Sequence, residues 1–395
     1  MPFPPSEVES RSTMIEASMP IEVSTLTASS NPVLQNPASQ DLALQNPMLQ
    51  DIIQNVKIHA DFSIHHPDYL TLELPETAIE RFQRLSQAAQ DQYLKLRIST
   101  VLYDLYFVGS QADQSTQDAS IQIEQNATTL NQNWDFCATL HRNNYGTGYF
   151  DPGWRISQAP SEDDWTVQKQ GLTLHIQPDR HLQASEQLSQ IDDIVAVRLP
   201  SNLFEQGYYV AVSNAGLPNG AYPPSSAGLL SVYFNLSPDG TIAMMAHLTQ
   251  SLNQVGIPFS FKIRYDSEDF DRWSTAILTC QREHYGDLRP VLEKLYRECQ
   301  EHFRPKVPLF TKVLAPGLAI SEEPESLEVG ASSFGLHRCQ LVASGLLAAR
   351  NTGDDSPAGR LAAIQHQFSA LGLTLQQPYL NVNSADIYAF WDENL

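Results

Sequence analysis

The chain has 395 residues, with 24 Lys and Arg against 45 Asp and Glu, a formal net charge of −21. Hydrophobic residues make up 42% and charged residues 17%, a globular composition with enough apolar surface for a sizeable core. The charge excludes general nucleic-acid binding, which needs a basic surface to release counterions, and docking on anionic membranes.

Residues 1–55 are rich in Ser, Pro, Gln and Asn, and Leu34-Gln35-Asn36-Pro37 returns as Leu44-Gln45-Asn46-Pro47. This composition predicts a disordered or low-complexity segment. Residues 56–142 read as a helical N-terminal part. Ala78, Phe82, Leu85 and Ala89 share a helical face, Tyr93, Leu96 and Ile98 continue it, and a further helix is expected over 121–140. Asn143 to Trp154 is rich in turn formers and aromatics and reads as a loop. It opens a central α+β domain over 143–315. Trp165–Gln168 and Leu172–Ile176 alternate in the strand manner, with Lys169-Gln170-Gly171 as a hairpin turn. Strand-like runs follow at 194–199, 208–212, 229–236, 257–265 and 275–280, with helices over 241–254 and 287–303. Residues 316–395 form a C-terminal helical part on the same core, with helices over 334–350 and 357–371. The order predicts an α+β fold: N-terminal helices, a central, mostly antiparallel twisted sheet with flanking helices, and a helical C-terminal part.

Familiar catalytic signatures are missing. Gly146-Thr147-Gly148 runs into Tyr149-Phe150-Asp151, so the dinucleotide fingerprint fails, and no P-loop, HExxH or GxSxG occurs. Cys137, Cys280, Cys299 and Cys339 lie far apart, which predicts reduced, mostly buried thiols and no metal site. No run of about 18 apolar residues and no signal-peptide pattern occurs, so a soluble cytoplasmic protein is expected.

The few basic residues carry the remaining chemistry. Lys262 and Arg264 share one face of a strand-like run, Arg198 lies on another, and His175 faces away from Leu172, Leu174 and Ile176. Solvated outer-face residues are one reading. An anion pocket is the other, because clustered Arg and Lys hold phosphate through charge-assisted hydrogen bonds. A Lys base and a His acid beside such a pocket would suit β-elimination of a phosphate ester.

Six segments together resemble the HopA-type family of type III secreted effectors. They are Asn144 to Trp154, Lys169 to Ile176, Val232 to Leu236, Pro308 to Lys312, Phe334 to Cys339 and Pro378 to Asn381. The resemblance implies an α+β fold and a kinship with phosphothreonine-lyase-like domains of modified-peptide biosynthesis, as in lanthipeptides. Such domains eliminate phosphate from a phosphorylated precursor peptide to leave dehydroalanine or dehydrobutyrine, beside a kinase-like partner protein and without a cofactor. On this pattern His175 is the candidate acid, and Lys169 or Lys262 the base. Arg198, Arg264, Lys312 and Arg338 are candidate phosphate ligands, while Ser231 stands where a further basic residue is expected. Tyr145, Tyr149 and Trp154 are candidate peptide anchors. The alternative is a non-catalytic, effector-like binding module for a protein or peptide.

Overall fold

The computed structural model describes residues 46–109, 133–159, 164–205, 207–218, 228–265, 270–325, 333–389 and 391. The low-complexity expectation for residues 1–45 and most of the helix expected over 121–140 lie outside these residues. Residues 47–55, expected to be low-complexity, are instead a helix, α1 (Pro47–Asn55). The second Asn-Pro of the echo is its start signal. The Asn46 side chain accepts from the amides of Met48 and Leu49, and Pro47 stands at the first helical position. Leu49, Ile52 and Ile53 are buried, and Arg360 donates to the carbonyls of Ile53 and Val56.

A small antiparallel sheet follows, β1 (Lys57–Ile58), β2 (Ile64–His66) and β3 (Tyr69–Leu72). Its strands are too short to show alternation in sequence. The expected continuous helix is broken into α2 (Glu76–Gln83) and α3 (Gln87–Leu102), because Ser86 caps the second by accepting from Ala89 N–H. The break leaves Leu85 and Leu96 exposed. A π-helical turn, Tyr103–Val108, ends at Gly109, and α4 covers Trp134–Arg142.

The strand residues divide between two larger sheets rather than one. The smaller, in order β6-β5-β4-β7, contains β4 (Tyr149–Gln158), β5 (Trp165–Lys169), β6 (Leu172–Ile176) and β7 (Ile194–Leu199). β4 occupies much of the expected loop. Its register with β7 shifts between Asp151 and Trp154, a bulge that accommodates Pro152 and Gly153. Gln170 and Gly171 both have positive φ, as a two-residue turn between β5 and β6 requires.

The larger sheet runs β13-β14-β10-β12-β11-β9-β8. Its strands are β8 (Asn202–Glu205), β9 (Tyr208–Val212), β10 (Leu229–Phe234), β11 (Phe259–Arg264), β12 (Ala276–Gln281), β13 (Lys312–Ala315) and β14 (Leu318–Glu322). Between them come α5 (Pro238–Val255) and α6 (Tyr285–Glu298); α7 (Phe334–Thr352) and α8 (Pro357–Ala370) follow. α5 starts three residues before the expected Thr241, because Ser237 caps it and Pro238 fits its first turn.

One sheet face carries Val232, Phe234, Leu278, Phe259, Phe261 and Ile320 against Met244, Leu248, Leu252, Leu288 and Leu292 of α5 and α6. The other face meets Tyr103, Phe107 and Phe334, part of a second core that α3, α7 and α8 share. At Gly345 a Cβ would lie 2.6 Å from the Ile364 Cα, so glycine sets the close approach of α7 to α8. All four cysteines are buried and free.

Two buried polar networks tie the periphery to these cores. The Glu322 carboxylate accepts from Arg282 Nε at 2.7 Å, Ser384 Oγ at 2.7 Å, Tyr388 Oη at 3.0 Å and the Asn381 amide at 2.9 Å. Removing it strands several donors, so Glu322→Ala is expected to lower unfolding stability by about 2–3 kcal/mol in a denaturant titration. In the second, His66 Nδ1 accepts from Asp68 N–H, so its Nε2 carries the proton toward Tyr106, which donates to Asp51. Burial pulls the His66 pKa below its ordinary value. Its stabilising effect is therefore complete above about pH 6.5 and is lost as pH falls toward the lowered folded value. In stability measured from pH 7 to 5, His66→Gln is expected to flatten this part of the acid loss.

Candidate functional site

The antiparallel register places a polar stripe on the second face of the large sheet. Ser321, Ser231, Thr279 and Ser260 lie in one row, and Tyr233, Ile277 and Lys262 in the next. Arg264, Tyr208 and Glu205 extend it toward β8. The small side chains satisfy one another: Ser231 Oγ meets Thr279 Oγ1 at 3.2 Å, and Tyr233 Oη meets Ser321 Oγ at 3.2 Å.

Cations and carboxylates meet on this face. Lys262, half-buried, reaches across β9 to pair with Glu205. The Arg264 guanidinium lies 4.6 Å from the centre of the Tyr208 ring. Tyr103 feels both Arg264 and Tyr208 and hydrogen-bonds Ser333, the N-cap of α7. Glu323, just past β14, hydrogen-bonds Ser231 and the Phe334 amide at the start of α7. Burial raises its pKa, against the lowering effects of these bonds and of the positive charges of Lys262 and Arg338. A carboxylate thus occupies a helix N-terminus beside two basic side chains, an environment suited to anions. Glu205, Tyr103 and Glu323 carried no sequence signal, since only strand pairing and the α7 start bring them here.

The expected site residues are not brought together. Lys262 and Arg264 share the polar face as expected. Lys169 and His175 belong to the smaller sheet and point to its opposite faces. Lys169 lies with Val167 and Trp165 on the buried side, pairing with Asp151 at 2.7 Å and sitting 5.9 Å from the Trp154 ring centre. His175 is exposed on the other side, opposite Thr166, whose Oγ1 lies 3.2 Å from its Nδ1. The two cannot act as base and acid on one substrate held at either face. Arg198, exposed, donates to the Thr147 carbonyl at 2.7 Å.

Arg338 is buried to 1% exposure and donates to the carbonyls of Pro378 and Leu380 and to His337 Nδ1. Burial pulls its pKa down to about 10. It is a strut for the C-terminal segment rather than an accessible phosphate ligand. Lys312 pairs with Asp386 at 3.4 Å, meets Tyr379 Oη at 3.3 Å, and borders a separate cavity of about 370 Å³ with Leu309 and Phe310. Tyr149 and Trp154 are 8% and 3% exposed, so they pack in the core and cannot serve as anchors, whereas Tyr145 is 57% exposed. Among the described residues no group of three or more His, Cys, Asp or Glu could hold a metal ion, and no helix is long and apolar enough to cross a membrane.

Residues 199–380 match the HopA1 effector protein family. This stretch contains Lys262, Arg264, Lys312, Arg338 and the last four of the six resembling segments save the final Asn381, but not Lys169, His175 or Arg198. The chain is similar to the structure of the effector protein from Pseudomonas syringae pv. tomato strain DC3000, with 14% identity over 75% of this chain and 100% of that one and a TM-score of 0.36. The structure of the effector protein from Pseudomonas syringae pv. syringae strain 61 gives 12% identity over 76% and 100%, also at a TM-score of 0.36. These two overlaps carry no functional argument. No curated protein matches the chain.

The strut role of Arg338 has a direct check. Arg338→Met is expected to cost about 2–4 kcal/mol in denaturant unfolding, through the buried carbonyls left without donors.

Proposed function

We propose that this chain, whose large sheet and C-terminal helices match the HopA1 effector protein family model, is effector-like and eliminates phosphate from a phosphorylated Ser or Thr in a peptide. The observation that carries this reading is the pairing of Lys262 and Arg264 on one polar face with Glu323 and the start of α7. Arg264 holds the phosphate. The Lys262 amine, released from Glu205, takes the α-proton. The electron pair left on Cα forms the Cα=Cβ bond, the Cβ–O bond breaks, and phosphate leaves. Glu323, whose carboxyl is kept protonated by burial to higher pH than usual, gives a proton to the leaving oxygen. The product is dehydroalanine or dehydrobutyrine, and the phosphorylated residue would come from a kinase-like partner.

Mass spectrometry of a phosphothreonine peptide incubated with the protein tests this. Loss of the elements of phosphoric acid is expected. Lys262→Met should slow it by about 10²–10⁴-fold, while His175→Ala and Lys169→Ala should leave the rate within about twofold. Hydrolysis back to the alcohol, or a loss of activity confined to His175→Ala, would sink the assignment. A rate that falls as pH rises through the elevated pKa of Glu323 is the accompanying signature.

A non-catalytic phosphopeptide-binding module is the second reading. Its support is the ion pair with Glu205, which already neutralises Lys262. Phosphate-dependent binding without any mass change would select it.

A further inference from the structure

The larger sheet ends at β8, and among the described residues no strand pairs with its outer edge. Such an edge offers a row of N–H and C=O groups to an incoming chain. Its two side-chain faces differ sharply in chemistry. Leu203 and Glu205 lie on the face of Lys262 and Arg264, and Asn202 and Phe204 lie on the other. Phe204 is 48% exposed and meets Trp134 of α4, 59% exposed, with ring centres 6.1 Å apart in an edge-on arrangement. Two large aromatics left in water beside an open strand edge have the composition of a binding anchor.

The cations lean toward the same edge. Lys262 spans β9 to reach Glu205 on β8, and Arg264 stacks over Tyr208 of β9. Gly207 precedes β9 with φ 77°, and a Cβ there would come within 3.2 Å of an Arg264 terminal nitrogen, so glycine leaves this guanidinium room. Glu205 is a carboxylate held where an incoming phosphate would find its counter-charge.

We propose that β8 takes an extended phosphopeptide as an additional strand, with the phosphorylated side chain on the Lys262–Arg264 face. Strand alternation then turns the residues immediately before and after it to the opposite face, onto Trp134 and Phe204. The ligand class is a phosphorylated Ser or Thr flanked on both sides by apolar or aromatic residues. This rests on the phosphate site proposed above and adds the recognition mode and the sequence preference.

The test uses the full chain and three labelled phosphothreonine peptides, one with Leu and Phe as neighbours, one with Gly and Ser, and one apolar-flanked with N-methylated backbone amides. Binding is read by fluorescence anisotropy and elimination by mass. The apolar-flanked peptide is expected to bind about tenfold or more tighter than the other two. That advantage should vanish in Trp134→Ala and Phe204→Ser, both at exposed positions, and Glu205→Gln should tighten all three. Equal binding of the three peptides, insensitivity to both aromatic variants, or no binding at all overturns edge docking. Elimination that persists with equal binding leaves the lyase reading standing, whereas flank-dependent binding without elimination leaves edge docking standing and removes the lyase.

Discussion

The antiparallel register of the seven-stranded sheet is the constraint on which the rest depends. A one-residue slip in any strand would exchange its two faces. Strand by strand, the register puts Phe234, Phe259, Phe261, Leu278 and Ile320 on one side. Each such side chain contributes about 2 kcal/mol through burial. The same register delivers Ser231, Thr279, Ser260, Lys262 and Arg264 to the other side, where burial alone would be unfavourable. That face is tolerated because its hydroxyls bond one another, Lys262 faces the Glu205 carboxylate and Arg264 stacks on Tyr208. A sheet selected only for stability would carry apolar residues there.

Several residues that look chemical in the sequence instead hold the chain together. The Phe334 to Cys339 and Pro378 to Asn381 segments are two halves of one clamp. Arg338 from the first binds the carbonyls of Pro378 and Leu380 in the second, and Glu322 takes the Asn381 amide. The clamp encloses the start of α7, where Glu323 meets the Phe334 amide. Motif and site are thereby coupled: the clamp fixes the helix start that forms one wall of the polar face.

Local signals were legible wherever neighbouring residues decide the structure. Lys169-Gln170-Gly171 marked a hairpin, which the structure narrows to Gln170 and Gly171, both with positive φ, and the helix after Ser237 was legible although its start was read three residues late. The side-chain parity of Lys262 and Arg264 also followed from alternation alone. What could not be read was which strand pairs with which. The division into separate sheets moved His175 and Lys169 away from Lys262, and nothing in their spacing shows that. β4 was hidden because its bulge admits Pro152 and Gly153, which otherwise signal a loop. Asn46-Pro47 resembled its upstream copy in composition, yet it caps a helix whose apolar side chains find a core. Glu205 and Glu323 were silent for the same reason, since a carboxylate in a chain with 45 acidic residues draws no notice until its partner is known.

The net charge of −21 describes the outer surface, while the polar face gathers a local positive pair within it. Phosphate recognition by that pair is the central claim, and calorimetric titration of one peptide in phosphorylated and unphosphorylated forms tests it most directly. Tighter binding of the phosphorylated form to wild type is expected, with the difference abolished in Arg264→Met and reduced by added salt. Equal affinity for the two forms, or a phosphate preference that survives Arg264→Met unchanged, contradicts it.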